Sequence, residues 1–463
     1  MKITVSNKLY IEFAPDKVIS TLKKGLEIPN PAFQVMLRKF GKRVYHMKAI
    51  KQKFKYYEYD EVNDIFMCGR GNLLRIHRYL KNNGIKYELV RDFVSTDLDK
   101  PLKFKGELRD YQGGIADKII SGGSYGIIKL GTGYGKTIIA CEIIRKLNKT
   151  ALVIVPRVSL LNQFKETLKE FYDYEAGIIQ GKTWDIKDIT VASMATLKRR
   201  PKAVYAKLFS IVMADEAHTY ISDKGLKVLH SFSPTYLYGL TATPKRSDGQ
   251  GEAIGYTFGP ILIDKKLPQE KPTVQVVDSN VEILGVDYMD MVEDMTFNES
   301  RNILIRNVVL KELKERRKIL ILTKRVKHFE TIKFIIDNYD SYDEMAGKKH
   351  NHIIRCISSK TKQSDRDILL TKLRNNEEDF DIILGTYSML STGVDIPCLD
   401  TLIFAGDLKS DVLAEQSIGR ILRIFLGKSS PKIIDIHDNL HGIFHRQFLA
   451  RKKFYKENNW SIA

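Results

Sequence analysis

Short continuous apolar runs recur along most of the chain, separated by stretches with helical spacing. From 102 to about 275 the clearest runs are Ala151–Val155, Ile189–Ala192, Ile211–Ala214 and Tyr236–Leu240. A second series runs from about 300 to 440, with Ile319–Leu322, His352–Cys356, Asp381–Leu384, Thr401–Ala405 and Lys432–Asp435. Runs apolar at every position suit strands covered on both faces, and their alternation with helical patterns predicts parallel sheets flanked by helices. The reading is therefore α/β, with two such domains at 102–275 and 300–440, and a hinge across 270–300.

The first 95 residues break this pattern. Lys8-Leu9-Tyr10-Ile11-Glu12-Phe13 alternates as a half-buried strand does, and Tyr56–Tyr59 followed by Asp64–Met67 reads as a hairpin around a polar turn. Gly69-Arg70-Gly71 interrupts, and Asn72 starts a predicted helix through Asn82. A small β-rich domain over 1–95 follows, joined by a polar linker that ends at Pro101. Asp337–Asn351 is polar and reads as an exposed loop. Residues 441–463 read as a basic helical tail carrying Arg446, Arg451, Lys452, Lys453 and Lys456.

Composition sharpens this picture at three points. The 463 residues carry 75 Lys and Arg against 56 Asp and Glu, a net charge of +19 that points to a polyanionic partner, most often nucleic acid. Cys68, Cys141, Cys356 and Cys398 are far apart without Cys-x-x-Cys spacing, which supports neither a zinc site nor a disulfide framework. No apolar run reaches the roughly 18 residues of a membrane span, and the first residues lack a signal-peptide core, so cytoplasmic residence is expected; a monomer is the default expectation.

The sharpest chemistry lies at Leu130-Gly131-Thr132-Gly133-Tyr134-Gly135-Lys136-Thr137. It follows the apolar run Tyr125–Lys129 and precedes a helical pattern. Strand, glycine-rich turn and Lys-Thr at a helix start form a phosphate-binding loop, in which backbone N–H groups close around phosphate oxygens. Lys136 would reach the β- and γ-phosphates and Thr137 would hold Mg²⁺. Asp215-Glu216-Ala217-His218 follows the strand Ile211–Ala214, at the sheet edge where α/β folds bind ligands. Asp215 would hold Mg²⁺ and Glu216 would activate water. Gln416, Arg420 and Arg423 share one face of a predicted helix, which suits arginines delivered to a γ-phosphate. Basic residues from Arg38 to Lys55, including Lys48, Lys51, Lys53 and Lys55, sit beside Phe54, Tyr56, Tyr57 and Tyr59. This mixture suits phosphate contact with base stacking, or equally a small aromatic core with solvated lysines.

Across residues 105 to 440 the chain resembles the superfamily 2 helicases and translocases of the Asp-Glu-Ala-His (DEAH-box) type. Leu108–Gln112 is similar to the segment that reads adenine, with Gln112 as the recognising amide. Leu130–Thr137 resembles motif I, which in this family often lacks the first glycine. Pro156-Arg157 resembles motif Ia, Ser193–Leu197 the next nucleic-acid motif, Asp215–His218 motif II and Leu240–Pro244 motif III. Leu322–Arg325 resembles motif IV, Gly385-Thr386 with Ser391–Pro397 motif V, and Gln416–Arg423 motif VI. The resemblance implies two RecA-like domains with Mg²⁺-ATP between them. It implies nucleotide contacts from Gly131, Thr132, Gly133, Gly135, Asp395 and Gln416, and backbone contacts from Arg157, Ser193, Thr196, Lys324, Arg325 and Thr386.

A small basic domain ahead of the motor resembles the plan of phage recombination and repair helicases that act on forks and four-way junctions. The expected activity is therefore ATP-driven DNA unwinding or translocation on branched DNA. The alternatives are an RNA helicase, a restriction-type translocase, and a binding scaffold with a dead ATPase.

Overall fold

In a computed structural model of the chain, the described residues are 1–46, 51–131, 133–199, 207–242, 250–266, 270–339, 352–358, 360–387, 396–408, 411–422, 425 and 427–463, with side chains except at 42, 45, 46, 339, 363, 364, 411, 412 and 416. They divide into two compact units, Met1–Leu267 and Pro268–Ala463. Lys48, Thr132, Asp395, Arg423, Thr243 and Pro244 of motif III, and most of the polar stretch 337–351 lie outside the described residues.

The centre of the first unit is an eight-stranded sheet. Its strands run, across the sheet, Thr183–Trp184, Gly177–Gln180, Ile189–Ser193, Ala151–Val155, Ile211–Asp215, Tyr236–Thr241, Tyr125–Leu130 and Ile261–Lys265. All neighbours pair in parallel except the first two. The predicted apolar runs are these strands, and every residue of Ala151–Val155, Ile189–Ser193 and Ile211–Asp215 is buried. Helices Lys136–Leu147 and Val158–Tyr172 cover one face through Ile139, Ile143, Leu161, Phe164 and Leu168. The edge strand Ile261–Lys265, with an exposed first residue and a register shift, is not signalled by the sequence pattern.

Residues 1–95 form their own five-stranded sheet, in the order Tyr57–Asp60, Ile65–Cys68, Leu9–Glu12, Lys2–Val5, Glu88–Arg91. The predicted hairpin and the helix Leu73–Asn82 are both present. The aromatics resolve toward packing. Tyr57 stacks on Phe66 at 5.3 Å, Tyr56 meets Tyr256 edge-on at 5.7 Å, and Phe54 packs against the core beneath the large sheet. Base stacking by these rings is therefore set aside, and the lysines beside them stay on the surface.

This small sheet does not stand apart. Arg70 is 2% exposed, and its guanidinium donates to the Pro234 carbonyl at 2.6 Å and the Thr235 carbonyl at 3.1 Å, just ahead of the strand Tyr236–Thr241. It lies over the rings of Phe93 and Tyr125 at 4.8 and 5.6 Å, and burial lowers its pKa to about 10. Gly69 and Gly71 allow the approach: a Cβ on Gly71 would sit 2.2 Å from the Gly255 carbonyl oxygen and 2.4 Å from the Gly259 nitrogen. The predicted linker is likewise strapped down. Leu98 and Leu102 enter the core of the large sheet, and Thr150 N–H donates to the Thr96 carbonyl. The break read at Gly69-Arg70-Gly71 is thus a docking element.

The second unit is a seven-stranded sheet, parallel throughout, in the order Ile354–Ile357, Ile382–Thr386, Ile319–Thr323, Thr401–Phe404, Lys432–His437, Thr273–Asp278, Ser461–Ile462. Two expectations change. The interval 270–300 is built into this unit as the strand Thr273–Asp278, the helix Tyr288–Phe297 and the start of the helix Glu299–Lys314. Residues 441–463 are also integral: in the helix Gly442–Glu457, Arg451 is buried against Asp435 at 2.7 and 2.9 Å, and Tyr455 donates to the same carboxylate at 2.7 Å. A buried arginine fully paired in this way is a packing element, which a count of cations cannot reveal.

Arg70→Met leaves two buried carbonyls without donors and should cost about 2–4 kcal/mol of stability. Gly71→Ala should also destabilise, because only backbone faces the new methyl. Equilibrium urea unfolding checks both, and a midpoint unchanged in both variants would mean the two sheets are not locked together.

Candidate functional site

The turn after Tyr125–Leu130 requires glycine. Gly133 and Gly135 have φ of +82° and +86°, a region costly for residues with a Cβ. Gly135 precedes the helix Lys136–Leu147, so the first N–H groups of that helix lack intrahelical partners and point out of its N-terminus. Gln112 braces the turn from behind. Its Nε2 donates to the Tyr134 carbonyl at 3.0 Å, and its Oε1 accepts from Arg109 N–H at 3.1 Å. Tyr134 in turn donates its hydroxyl to the Tyr111 carbonyl at 3.1 Å. The amide expected to read a base is thus engaged with the backbone on both sides, so positioning the loop is its visible role. Tyr134 was missed from sequence because only the motif's glycines and Lys-Thr carry a pattern.

Asp215 and Glu216 stand at the C-terminal end of their strand, next to this turn. Asp215 is 4% exposed; burial and the neighbouring Glu216 push its pKa up to about 7, and Lys136 pulls against them. Its Oδ1 accepts from Glu216 N–H at 3.0 Å. Glu216 adopts a left-handed conformation, φ +52°, that turns its carboxylate out of the strand direction. Its Oε2 is buried without a hydrogen bond among the described residues, and His218 Nδ1 stands 3.6 Å away. Lys136 acts on Asp215, and Arg157, whose charge is opposed by burial, is favoured by Glu216. With the Thr137 hydroxyl at the start of the phosphate-loop helix, this donor set fits a hard divalent cation.

Two tyrosine and histidine contacts tie the neighbouring motifs together. His218 Nδ1 lies 3.3 Å from Thr241 Oγ1, at the end of the next strand, and Tyr220 donates to the Ile154 carbonyl at 3.0 Å, in the strand that leads to Arg157. Motifs Ia, II and III thereby share one sheet edge.

Several expected backbone contacts take other partners. Ser193 and Thr196 are only 5% and 8% exposed, and Thr196 Oγ1 accepts from Gly181 N–H at 2.8 Å. The exposed residues of that turn are Lys198 and Arg199, which the motif resemblance did not single out. In the second unit, Lys324 Nζ is held by Asp407 at 2.7 Å and Tyr288 at 2.8 Å; burial opposes its charge, but these partners raise its pKa. Tyr288 also donates to Asp407. Arg325 reaches the Met289 carbonyl at 3.4 Å and Glu293 at 4.0 Å, and Thr386 is buried. Packing thus covers Ser193, Thr196 and Thr386, whereas Lys324 is paired with Asp407 yet exposed. Arg157 is exposed. Lys51 pairs loosely with Asp223 at 3.4 Å, Lys53 pairs with Glu27 at 2.9 Å, and Lys55 is exposed.

The motif VI reading is reached in part. Arg420 is buried near the end of the helix Asp411–Ile421, which also contains Gln416, and Lys428 closes that helix by donating to the Ile421 carbonyl.

Residues 105–246 match the family described as Type III restriction enzyme, res subunit, and residues 300–425 match the helicase conserved C-terminal domain. The chain is 31% identical over 378 residues to Putative helicase 161L of Invertebrate iridescent virus 6, covering 77% of this chain and 82% of that one. It is 27% identical over 430 residues to Putative ATP-dependent RNA helicase L396 of Acanthamoeba polyphaga mimivirus, covering 83% and 79%. It is 22% identical over 361 residues to ATP-dependent DNA helicase uvsW of Enterobacteria phage T4, covering 72% and 68%.

A methyl at Gly135 would lie 2.2 Å from Gln112 Nε2 in a strained backbone region. Gly135→Ala should therefore abolish binding of a fluorescent nucleoside triphosphate. Gln112→Ala, which removes a brace while leaving the loop intact, should weaken binding roughly tenfold, the equivalent of about one hydrogen bond. Normal affinity in Gly135→Ala would show that the turn does not hold phosphate.

Proposed function

The chain belongs to the superfamily 2 helicases, ATP-dependent enzymes of nucleic acid, and from that premise we propose that it is a DNA helicase or translocase acting on forks and four-way junctions. The observation that carries the hydrolytic part is Asp215, buried beside Lys136 at the end of one strand, with Glu216 next to it. In this reading the loop from Gly131 to Thr137 cradles the triphosphate and Lys136 neutralises its β- and γ-oxygens. Thr137 and Asp215 would hold Mg²⁺, which would supply charge compensation on the phosphates. Glu216 accepts a proton from the attacking water, and His218 carries the change at the phosphate to Thr241. Arg420 and Arg423 act as fingers supplied by the second RecA-like domain, with Gln416 and Asp395 completing the nucleotide contacts.

The preference for DNA rests on the uvsW relative, and the preference for branched substrates on the basic N-terminal sheet. The mimivirus relative's printed name favours the second reading, an RNA helicase. ATPase rates on single strand, duplex, fork, four-way junction and RNA of equal length separate the two: greatest stimulation by RNA would replace the first reading with the second.

Two sets of variants test the roles. Lys136→Ala and Glu216→Gln should each remove ATP turnover, the second while retaining bound ATP. Arg420→Ala should keep binding and lower kcat by roughly 10³-fold or more, as for other arginine fingers. Near-normal hydrolysis in Glu216→Gln would falsify the base assignment. Lys51, Lys53 and Lys55 changed together to Glu, with Lys48, should weaken fork and junction binding more than single-strand binding. Charge variants are the suitable probe here, because deleting residues 1–95 would strip Ile28, Phe54 and Tyr56 from the core they share with the large sheet.

A further inference from the structure

Two concave surfaces of the first unit meet along one short helix, Asp223–Leu229. The first, about 510 Å³, is lined by Pro156, Ala195, Lys198, Arg199, Lys224 and Lys227 among others, with no carboxylate among the described residues. The second, about 270 Å³, lies where the N-terminal sheet docks, and its lining includes Lys8, Lys55, Glu58, Asp223 and, again, Lys227. Lys227 is the shared wall. Lys224 and Lys227 are three residues apart and both exposed, so they occupy one side of the helix, while Val228 and Leu229 bury the other in the core.

The charges on this surface are uncompensated. Lys198, Arg199, Lys224 and Lys227 make no ion pair among the described residues. The two acids that line the second concavity are already engaged, Glu58 by Lys8 at 2.9 Å and Asp223 by Lys51 at 3.4 Å. Like charges gathered on exposed ground repel one another, and a polyanion relieves that repulsion. The helix is also fixed in place. A Cβ on Gly225 would lie 2.3 Å from the Tyr220 carbonyl oxygen, and Tyr220 is bonded to the Ile154 strand behind Arg157. On the other side the Arg70 dock holds the N-terminal sheet rigidly against the same body. The spacing between Lys198, Lys224, Lys227 and Lys55 is therefore built in, as a repeating phosphate backbone requires.

We infer that the helix Asp223–Leu229 carries a sugar-phosphate binding surface, in which Lys224 and Lys227 continue the track from Lys198 and Arg199 to Lys55, in the short strand Lys53–Lys55 of the N-terminal domain. The N-terminal grip is then a composite of two sheets and not a property of residues 1–95 alone. This rests on the proposed action on nucleic acid and assigns it a path. The contacts are to phosphate, so they serve any sequence.

The test uses the full chain with Lys224→Glu and Lys227→Glu combined. Binding is measured by fluorescence anisotropy across a salt series, on a forked DNA and on an RNA fork of the same sequence. Binding should weaken at least roughly tenfold at fixed low salt, with the salt slope reduced by about two, one for each lost phosphate contact. Loss in either arm supports the surface and names the backbone it holds. An unchanged affinity and slope in both arms, beside a wild-type protein that binds, overturns the inference and leaves the helicase reading standing. A wild-type protein that binds neither fork overturns both. Should the double Glu variant melt at a lower temperature, Lys224→Gln with Lys227→Gln should still reduce the slope by about two, and a slope kept at the wild-type value overturns the surface on its own.

Discussion

A strand covered on both faces has no place for an unpaired charged side chain until it ends. That constraint arranges the chemistry of this protein. In Ile211–Asp215 four apolar residues precede the carboxylate, and in Tyr125–Leu130 the run ends at the glycine turn. Ala151–Val155 delivers Arg157, Ile189–Ser193 delivers the turn with Lys198 and Arg199, and Tyr236–Thr241 delivers the hydroxyl that meets His218. Because these strands are parallel, their ends lie on one edge, and residues distant in sequence converge there without any loop having to reach far. The second unit repeats the device, with Lys324 after Ile319–Thr323 and Asp407 after Thr401–Phe404.

Electrostatics then sorts the convergent groups into two kinds. Some close on themselves. Arg451 with Asp435, Arg301 with Asp438 and Lys324 with Asp407 are paired inside the second unit, where an unpaired charge would be costly. Others are left open: Asp215 and Glu216 crowd each other, and Lys198, Arg199, Lys224 and Lys227 line one concavity that no carboxylate of the described residues lines. Groups left open in this way are the ones that the proposed cation, triphosphate and polyanion would complete. The net charge of +19 mixes both kinds and so cannot say which lysines are available.

The N-terminal sheet shows how a short interruption of pattern can carry an interface. Gly69 and Gly71 lack the atoms that would collide with Gly255 to Gly259, and Arg70 supplies the donors that two carbonyls there need. Small residues bring the backbones together, and the guanidinium satisfies the polar groups that the approach buries. As a result the small domain and the larger sheet form one compact unit, Met1–Leu267.

By itself the sequence determined the central strands of both large sheets, their parallel class and the motifs at their ends. Continuous apolar runs such as Ala151–Val155 admit few other structures, and the glycines around Lys136 are local demands of one backbone turn. Tertiary structure alone decided which polar groups are spent. Whether Lys324 meets a phosphate or Asp407, whether Gln112 faces a ligand or the Tyr134 carbonyl, and whether Tyr57 stacks on a base or on Phe66 depend on residues remote in the chain. It also decided that residues 270–300 and 441–463 are strands and helices of the second sheet, since the strand Thr273–Asp278 is stabilised by pairing with Lys432–His437 and Ser461–Ile462. Local pattern encodes backbone shape and burial, but pairing energy belongs to partners that only the fold brings within reach.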